Sequence, residues 1–348
     1  MIWQLVDSSG IGGIESHITN LALALNGAGH QTRIILLKHH IANPWFEQLN
    51  HKKLDWDCLE GSFKSLRKAL EIERPTLLHT HGYKAGILGR IAAKSLKIPV
   101  VSTFHAGERG KFPVSLYQTM DEWTSCLGGR IAVNDIIAKK MPFKTQSIRN
   151  FIPPFLPSPL AFERDPKDRV RGIIKPLSVG FVGRLSYEKG PDLFCEIAEQ
   201  TTKDIPFHMF GDGPLRAELE AKYGSRITFH GVATNMENVW PQIGLLLMPS
   251  RAEGLPMAAL EALNHGIPVL ASEAGSFRSI ILQNETGWVH SIDKLFQMVL
   301  EIEKWAASST QTRITLSQNC MADVQKRYSS EEPLAHISNV YQKAGMQW

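Results

Sequence analysis

Two glutamates, Glu253 and Glu261, stand eight residues apart in the stretch RAEGLPMAALEALNHG, residues 251–266. The apolar run LLLMP precedes this stretch, and Pro256 suits the first turn of a helix. That pattern places Glu253 before the helix and Glu261 about 12 Å further on, at 1.5 Å of rise per residue. The first amides of a helix have no internal partner, so those of Gly254, Leu255 and Met257 could receive an anion. A long ligand with hydroxyls at both ends and phosphates between would satisfy this arrangement. Sugar hydroxyls would meet Glu253, and ribose hydroxyls Glu261. The same spacing also suits a capping acid followed by a solvent-facing helical acid.

Three further loops carry polar groups. GFVGRLSYEKG (180–190) follows a strong strand pattern and contains Arg184 and Lys189. A planar guanidinium fork and a compact ammonium beside glycines suit a diphosphate and the charge that builds on a leaving phosphate. An ordinary basic loop would look the same. DSSGIGGIESH (7–17) brings Gly10, Gly12 and Gly13, which permit close backbone approach. It is neither the GxGxxG fingerprint nor a Walker A loop, and a plain strand-to-helix turn fits equally. His79 and His81 in LLHTHG and His105 in STFHAG end two expected strands. No acid or cysteine accompanies them at a recognised metal spacing, so no metal site is expected. Hydrogen bonding to a sugar or its phosphate is the simpler role, with core or surface positions open for His79 and His81.

These loops need a frame. Apolar runs at 2–6, 32–37, 76–80, 100–104 and 130–133 alternate with helical patterns. After a proline-rich, charged stretch at 151–172, read as a linker, the rhythm resumes at 177–182, 207–210, 226–230, 245–249 and 267–271. Helices fit at 191–199, 214–221, 256–264 and 292–306. Strands without strict polar alternation, separated by helices, indicate parallel sheets covered on both faces. The fold class is therefore α/β, with two domains of one architecture facing each other across a deep crevice. Residues 1–160 form the first, 161–330 the second, and 331–348 a tail helix.

The 348 residues carry 38 basic and 34 acidic side chains, a formal charge of +4, too weak an excess to imply nucleic acid. The four cysteines form no CxxC pair, which fits a reducing compartment. MIWQLVDSSG begins as strand and loop, without the character of a signal peptide. No apolar run reaches the length of a spanning helix, so a cytoplasmic protein is expected.

Taken in order, the motifs make the chain resemble the retaining nucleotide-sugar glycosyltransferases of family 4, with their two Rossmann-like domains (GT-B). The family's E-x7-E pair matches Glu253 and Glu261, and its basic pair matches Arg184 and Lys189. Its amino-terminal glycine loop matches Gly12 and Gly13, its histidine matches His105, and its GDGP run falls at 211–214. The resemblance implies that Arg184 and Lys189 hold the donor diphosphate, Glu261 the ribose and Glu253 the transferred sugar. His105 would touch that sugar. The strand end HGVA, with Val232, would offer backbone groups to the base, and the tail would return to the first domain. Two departures bear on sugar recognition. RNFIPP stands where the family often has NG[IV]D, and EAGSFRSII stands where many members have GG-x-x-E.

The reaction so implied moves a sugar from a UDP-, GDP- or ADP-sugar to an acceptor hydroxyl with retention, without a cofactor or divalent metal. Attack on the face of the departing phosphate is favoured over double displacement through Glu253. The acceptor class is a cell-surface glycan precursor such as lipopolysaccharide, free or lipid-linked. Segments 84–97 and 108–120 combine basic and apolar groups suited to an anionic inner-membrane surface at its cytoplasmic face; ordinary amphipathic packing fits them too, and fits the first better. The alternatives are a GT-B sugar epimerase, a phosphorylase, for which no pyridoxal-phosphate lysine is evident, and a non-catalytic sugar-binding module. Radiolabelled nucleotide sugars would separate them by product.

Overall fold

The computed structural model describes residues 1–40, 43–105, 112–152, 176–253 and 256–346. The chain divides into two compact units, Met1–Pro153 with Tyr328–Trp348, and Pro154–Arg327. The expected linker lies largely outside the described residues.

The first unit is built on seven strands: β1 (Ile2–Val6), β2 (Thr32–Leu36), β3 (Trp56–Cys58), β4 (Leu77–His81), β5 (Val100–Phe104), β6 (Gly129–Ala132) and β7 (Gln146–Ser147). Their order is β3-β2-β1-β4-β5-β6-β7. Every described pairing is parallel. β1, β4 and β5 are buried at every position, because helices cover both faces, so their sequences do not alternate. The helix Glu331–Lys343 joins this unit, burying Ile337, Val340 and Tyr341 against Ile2, Leu21, Val101 and Ile131.

The second unit repeats the plan with β8 (Val179–Val182), β9 (Phe207–Phe210), β10 (Ile227–Gly231), β11 (Leu245–Met248), β12 (Val269–Ser272) and β13 (Gly287–His290). Their order is β10-β9-β8-β11-β12-β13, again all parallel. In each sheet the strand order reverses beside the first strand, between β1 and β4 and between β8 and β11. Open α/β sheets gather ligands beyond the carboxyl ends of strands at such a reversal.

The sequence reading missed β3, β7 and β13, as well as the helix Thr310–Tyr328. β3 and β7 are too short to show a pattern, three and two residues. The helix is mostly polar, and its buried apolar residues come one per turn, Leu316, Cys320, Val324 and Tyr328. A stripe that narrow hardly stands out from its polar neighbours.

Candidate functional site

In the second unit, Arg184 follows β8, and Ser250 and Glu253 follow β11. Gly190 closes the first of these loops in the left-handed region (φ 66°) and caps the helix Pro191–Gln200. A Cβ there would lie 2.1 Å from the Pro249 carbonyl oxygen, so only glycine lets the two loops touch. Arg251 ties them further. Its guanidinium forks onto Asp192 at 2.8 and 2.5 Å and lies over the Tyr187 ring, 4.1 Å from its centroid.

Lys189 and Glu253 then meet. Lys189 Nζ donates to Glu253 Oε1 at 2.7 Å, and Ser250 Oγ donates to the same oxygen at 3.2 Å. The Glu253 side chain is only 3% exposed, against 31% for Lys189. Glu253 is therefore a fixed, enclosed carboxylate, a burial that its sequence position before the helix did not reveal. Gly275, at φ 55°, fits against its backbone, and a Cβ there would come within 2.1 Å of the Glu253 carbonyl oxygen. That glycine lies in the stretch that departs from the family pattern. The tight contact it permits carries no sequence signal.

Arg184 is exposed and Glu261 half-buried in the second turn of the helix Met257–Asn264. Pro256 is the cap of that helix, in extended conformation, not its first residue. Helical rise therefore separates only Met257 from Glu261, about 6 Å instead of the 12 Å expected. Gly254 and Leu255 lie outside the described residues. Val232 follows the edge strand β10 and is 47% exposed.

The first unit gathers histidines at its own reversal. His79, on β4, is fully buried, with its ring nitrogens 2.8 Å from Tyr341 Oη and 2.7 Å from Thr103 Oγ1. Both nitrogens are occupied, so His79 is a core residue and has none left for a sugar. His81 contacts Gln4 Oε1 at 2.7 Å through Nε2, and His105 Nε2 at 3.1 Å through Nδ1. Gln4 Oε1 can only accept, which makes Nδ1 of a neutral His81 the acceptor and His105 Nε2–H the donor. The pair Gln4–His81 thereby orients His105.

His17, which the sequence reading passed over, completes the group. Its Nδ1–H donates to Asn150 Oδ1 at 2.7 Å, and its ring lies 4.8 Å from that of His105. Burial pulls its pKa down to about 4, against the opposing pull of Asn150. Burial, then neighbouring imidazoles, hold His81 and His105 well below the ordinary value. Ligand nitrogens of His17, His81 and His105 lie within 4.8 Å of one another, a geometry that could hold a metal ion although no sequence spacing announces it. Gly12 caps and Gly13 begins the helix that carries His17, both exposed.

His81 and His105 line a cavity of about 900 Å³ within this unit. Asp7, Lys84, Gln118 and Lys140 also line it. Imidazoles, carboxylates, amides and ammonium groups around such a space suit a polyhydroxylated molecule. The second unit instead combines cations and carboxylates suited to a phosphorylated one.

Comparison with known proteins finds matches to both units. The family model "Glycosyltransferase Family 4" matches residues 11–132, and "Glycosyl transferases group 1" matches residues 176–304. The chain is 25% identical over 305 residues to the UDP-Gal:alpha-D-GlcNAc-diphosphoundecaprenol alpha-1,3-galactosyltransferase of Escherichia coli, covering 80% of this chain and 78% of that one. It is 26% identical over 218 residues to a putative teichuronic acid biosynthesis glycosyltransferase, TuaC of Bacillus subtilis, covering 59% and 55%. HepE of Anabaena, solved in complex with UDP-glucose, superposes with a TM-score of 0.78 at 17% identity, over 98% of this chain and 99% of that one. The two matched segments, the doubled parallel sheet and the polar groups at both reversals lead to one conclusion: the chain belongs to the group 1, family 4 glycosyltransferases and is a nucleotide-sugar glycosyltransferase of GT-B architecture.

Proposed function

We propose that this enzyme transfers a sugar from a UDP-sugar to a hydroxyl of a cell-surface glycan precursor carried on lipid, with retention of configuration. The Lys189–Glu253 pair at the β8–β11 reversal carries the reading. It sets an ammonium for a phosphate beside a carboxylate for a sugar. Lys189 spends one of its three donors on Glu253, leaving two for a diphosphate. Exposed Arg184, on the same loop, adds a second cation. Glu261 serves the ribose, and the backbone near Val232 and at Gly254 and Leu255 serves base and phosphate. UDP is the nucleotide because the Escherichia coli relative is named for UDP-Gal and HepE was solved with UDP-glucose.

In the transfer, the acceptor oxygen forms a bond to the anomeric carbon as the bond to the β-phosphate oxygen breaks. The acceptor proton passes to the departing diphosphate, whose charge Arg184 and Lys189 hold. These two cations make a divalent metal unnecessary. His105, oriented by His81, contacts the sugar, with Gly12 and Gly13 leaving room for close approach. The acceptor lies in the cavity of the first unit. Work on lipid-linked precursors places the enzyme at the cytoplasmic face of the membrane.

Calorimetric titration with UDP, GDP and ADP tests the donor, with UDP expected to bind at least tenfold more tightly than the others. Turnover unaffected by a chelator is expected as well. Equal affinity for the three nucleotides would remove the base assignment. An inverted anomeric proton coupling in the product would remove retention.

A further inference from the structure

His17 Nε2 is a buried ring nitrogen with no hydrogen-bond partner among the described residues. The other ring nitrogen is committed, since Nδ1–H donates to Asn150 Oδ1 at 2.7 Å. A neutral imidazole carries one proton, so Nε2 is left as a lone pair. His81 is set in the same way. Its Nε2–H donates to Gln4 Oε1 at 2.7 Å, which leaves the lone pair on Nδ1. Two amide oxygens, one on β1 and one beyond β7, therefore fix two tautomers. A hydrogen bond between His81 and His105 accounts for that pair but gives His17 Nε2 nothing. Leaving a buried acceptor unmet is costly, and a cation between the rings would meet all three histidines at once.

The rings already stand at ligand separation. Zinc holds imidazole nitrogens at about 2.0–2.1 Å in a tetrahedral array, which sets those nitrogens roughly 3.4 Å apart and the ring centroids roughly 5.2 Å apart. Here the centroids are 4.8 Å apart for His17 and His105, 5.4 Å for His81 and His105, and 5.6 Å for His17 and His81. His81 Nδ1 lies 3.1 Å from His105 Nε2, and one nitrogen from each ring lies within 4.8 Å of the others. Coordination asks the nitrogens to close by at most roughly 1.4 Å. It also asks His105 to carry its proton on Nδ1 in place of Nε2.

We propose that His17 Nε2, His81 Nδ1 and His105 Nε2 form a zinc site in the first unit. An all-nitrogen set suits Zn²⁺ and not Mg²⁺, which takes oxygen. Gln4 and Asn150 stand behind the site and orient two of its ligands. His81 and His105 line the cavity, so the fourth position goes to water or to a hydroxyl there. The ligands come from the helix Gly13–Gly27, the end of β4 and the residue after β5, too far apart in the chain to show a metal spacing. Arg184 and Lys189, in the other unit, take no part. Bound zinc occupies the His105 ring that the proposed function sets against the sugar, so it inhibits transfer. That inhibition rests on the sugar contact proposed above; the zinc site does not.

Calorimetric titration of the untagged full chain with Zn²⁺ tests the site, with Mg²⁺ as the control. One zinc per chain is expected, and no heat from Mg²⁺. Co²⁺ in its place should give the intense visible absorption of a four-coordinate ion. His17→Phe keeps a ring but no ligand and should bind zinc at least roughly tenfold more weakly. Asn150→Ala keeps every ligand, loses an orienting group and should also weaken zinc by roughly tenfold. In the second unit His208 and His230 meet at 3.0 Å, with no third ligand among the described residues. His230→Gln should therefore bind zinc as the wild type does. Circular dichroism and the melting temperature without zinc show whether each variant is folded, and His105→Gln replaces His17→Phe if that one is not. A wild type that binds no zinc overturns the site, as does a six-coordinate cobalt spectrum or a folded His17→Phe with wild-type affinity. Loss of binding in His230→Gln alone moves the zinc to the second unit and overturns it too. Zinc that binds here and lowers turnover, with recovery on adding a chelator, supports both the site and the inhibition. Zinc that binds here and leaves turnover unchanged keeps the site and removes the sugar contact of His105.

Discussion

At the residue scale, the two glutamates differ in how they are held. Glu253 is enclosed and bound to Lys189, whereas Glu261 is half-buried in a helix. Glu253→Gln removes the charge that Lys189 now answers, freeing an ammonium for phosphate. UDP affinity should hold or rise while kcat falls, since the proposed function assigns the lost contact to the transferred sugar. Glu261→Gln should weaken UDP and intact donor alike, because both contain ribose. Titration of both variants checks this contrast, and equal loss of UDP binding would remove the division of labour. The histidine group carries a separate consequence. Buried His17 titrates near 4, below its ordinary 6.5. Between those values the unfolded chain takes up a proton that the folded chain refuses. Stability is thus retained above pH 6.5 and lost as pH falls toward 4. For this one group the loss between pH 7 and pH 5 is about 2 kcal/mol. Urea denaturation at the two pH values should show it, and His17→Gln should have a shallower dependence. An unchanged slope would mean that His17 titrates normally.

At the element scale, the first unit borrows its last helix from the far end of the chain. Tyr341 there is fully buried and bonded to His79 on β4, 262 residues away. Tyr341→Phe keeps the ring but leaves a buried imidazole nitrogen without its partner. That should cost about 1–3 kcal/mol. Thermal unfolding should show the loss, with UDP affinity unchanged because the residues proposed to hold the donor lie in the other unit. Loss of UDP binding in a folded Tyr341→Phe protein would contradict that assignment.

At the scale of the whole molecule, the proposed function divides the work between two units with separate cores. A ligand held by one unit stabilises it by mass action, by about 2.7 kcal/mol at a hundred times its dissociation constant. UDP should therefore slow amide exchange around residues 184–190 and 256–266. Strands β1, β4 and β5 should exchange as before. Hydrogen exchange with mass spectrometry reads this directly, and protection spread evenly over both units would place the donor elsewhere.

The sequence by itself determined the α/β class, the doubled rhythm of strand and helix, and the loops that carry Arg184, Lys189, Glu253, Glu261 and His105. Apolar runs and strand-end loops are local properties, legible from neighbouring residues alone. Tertiary structure alone decided that Lys189 closes on Glu253, 64 residues away. It also joined His17 to His81 and His105, removed His79 into the core, and turned the apolar side of Val114–Thr124 outward. A histidine or an amphipathic helix reads the same in sequence whether it faces core or solvent. Its surroundings come from distant strands and helices, whose register is settled only when the sheets assemble.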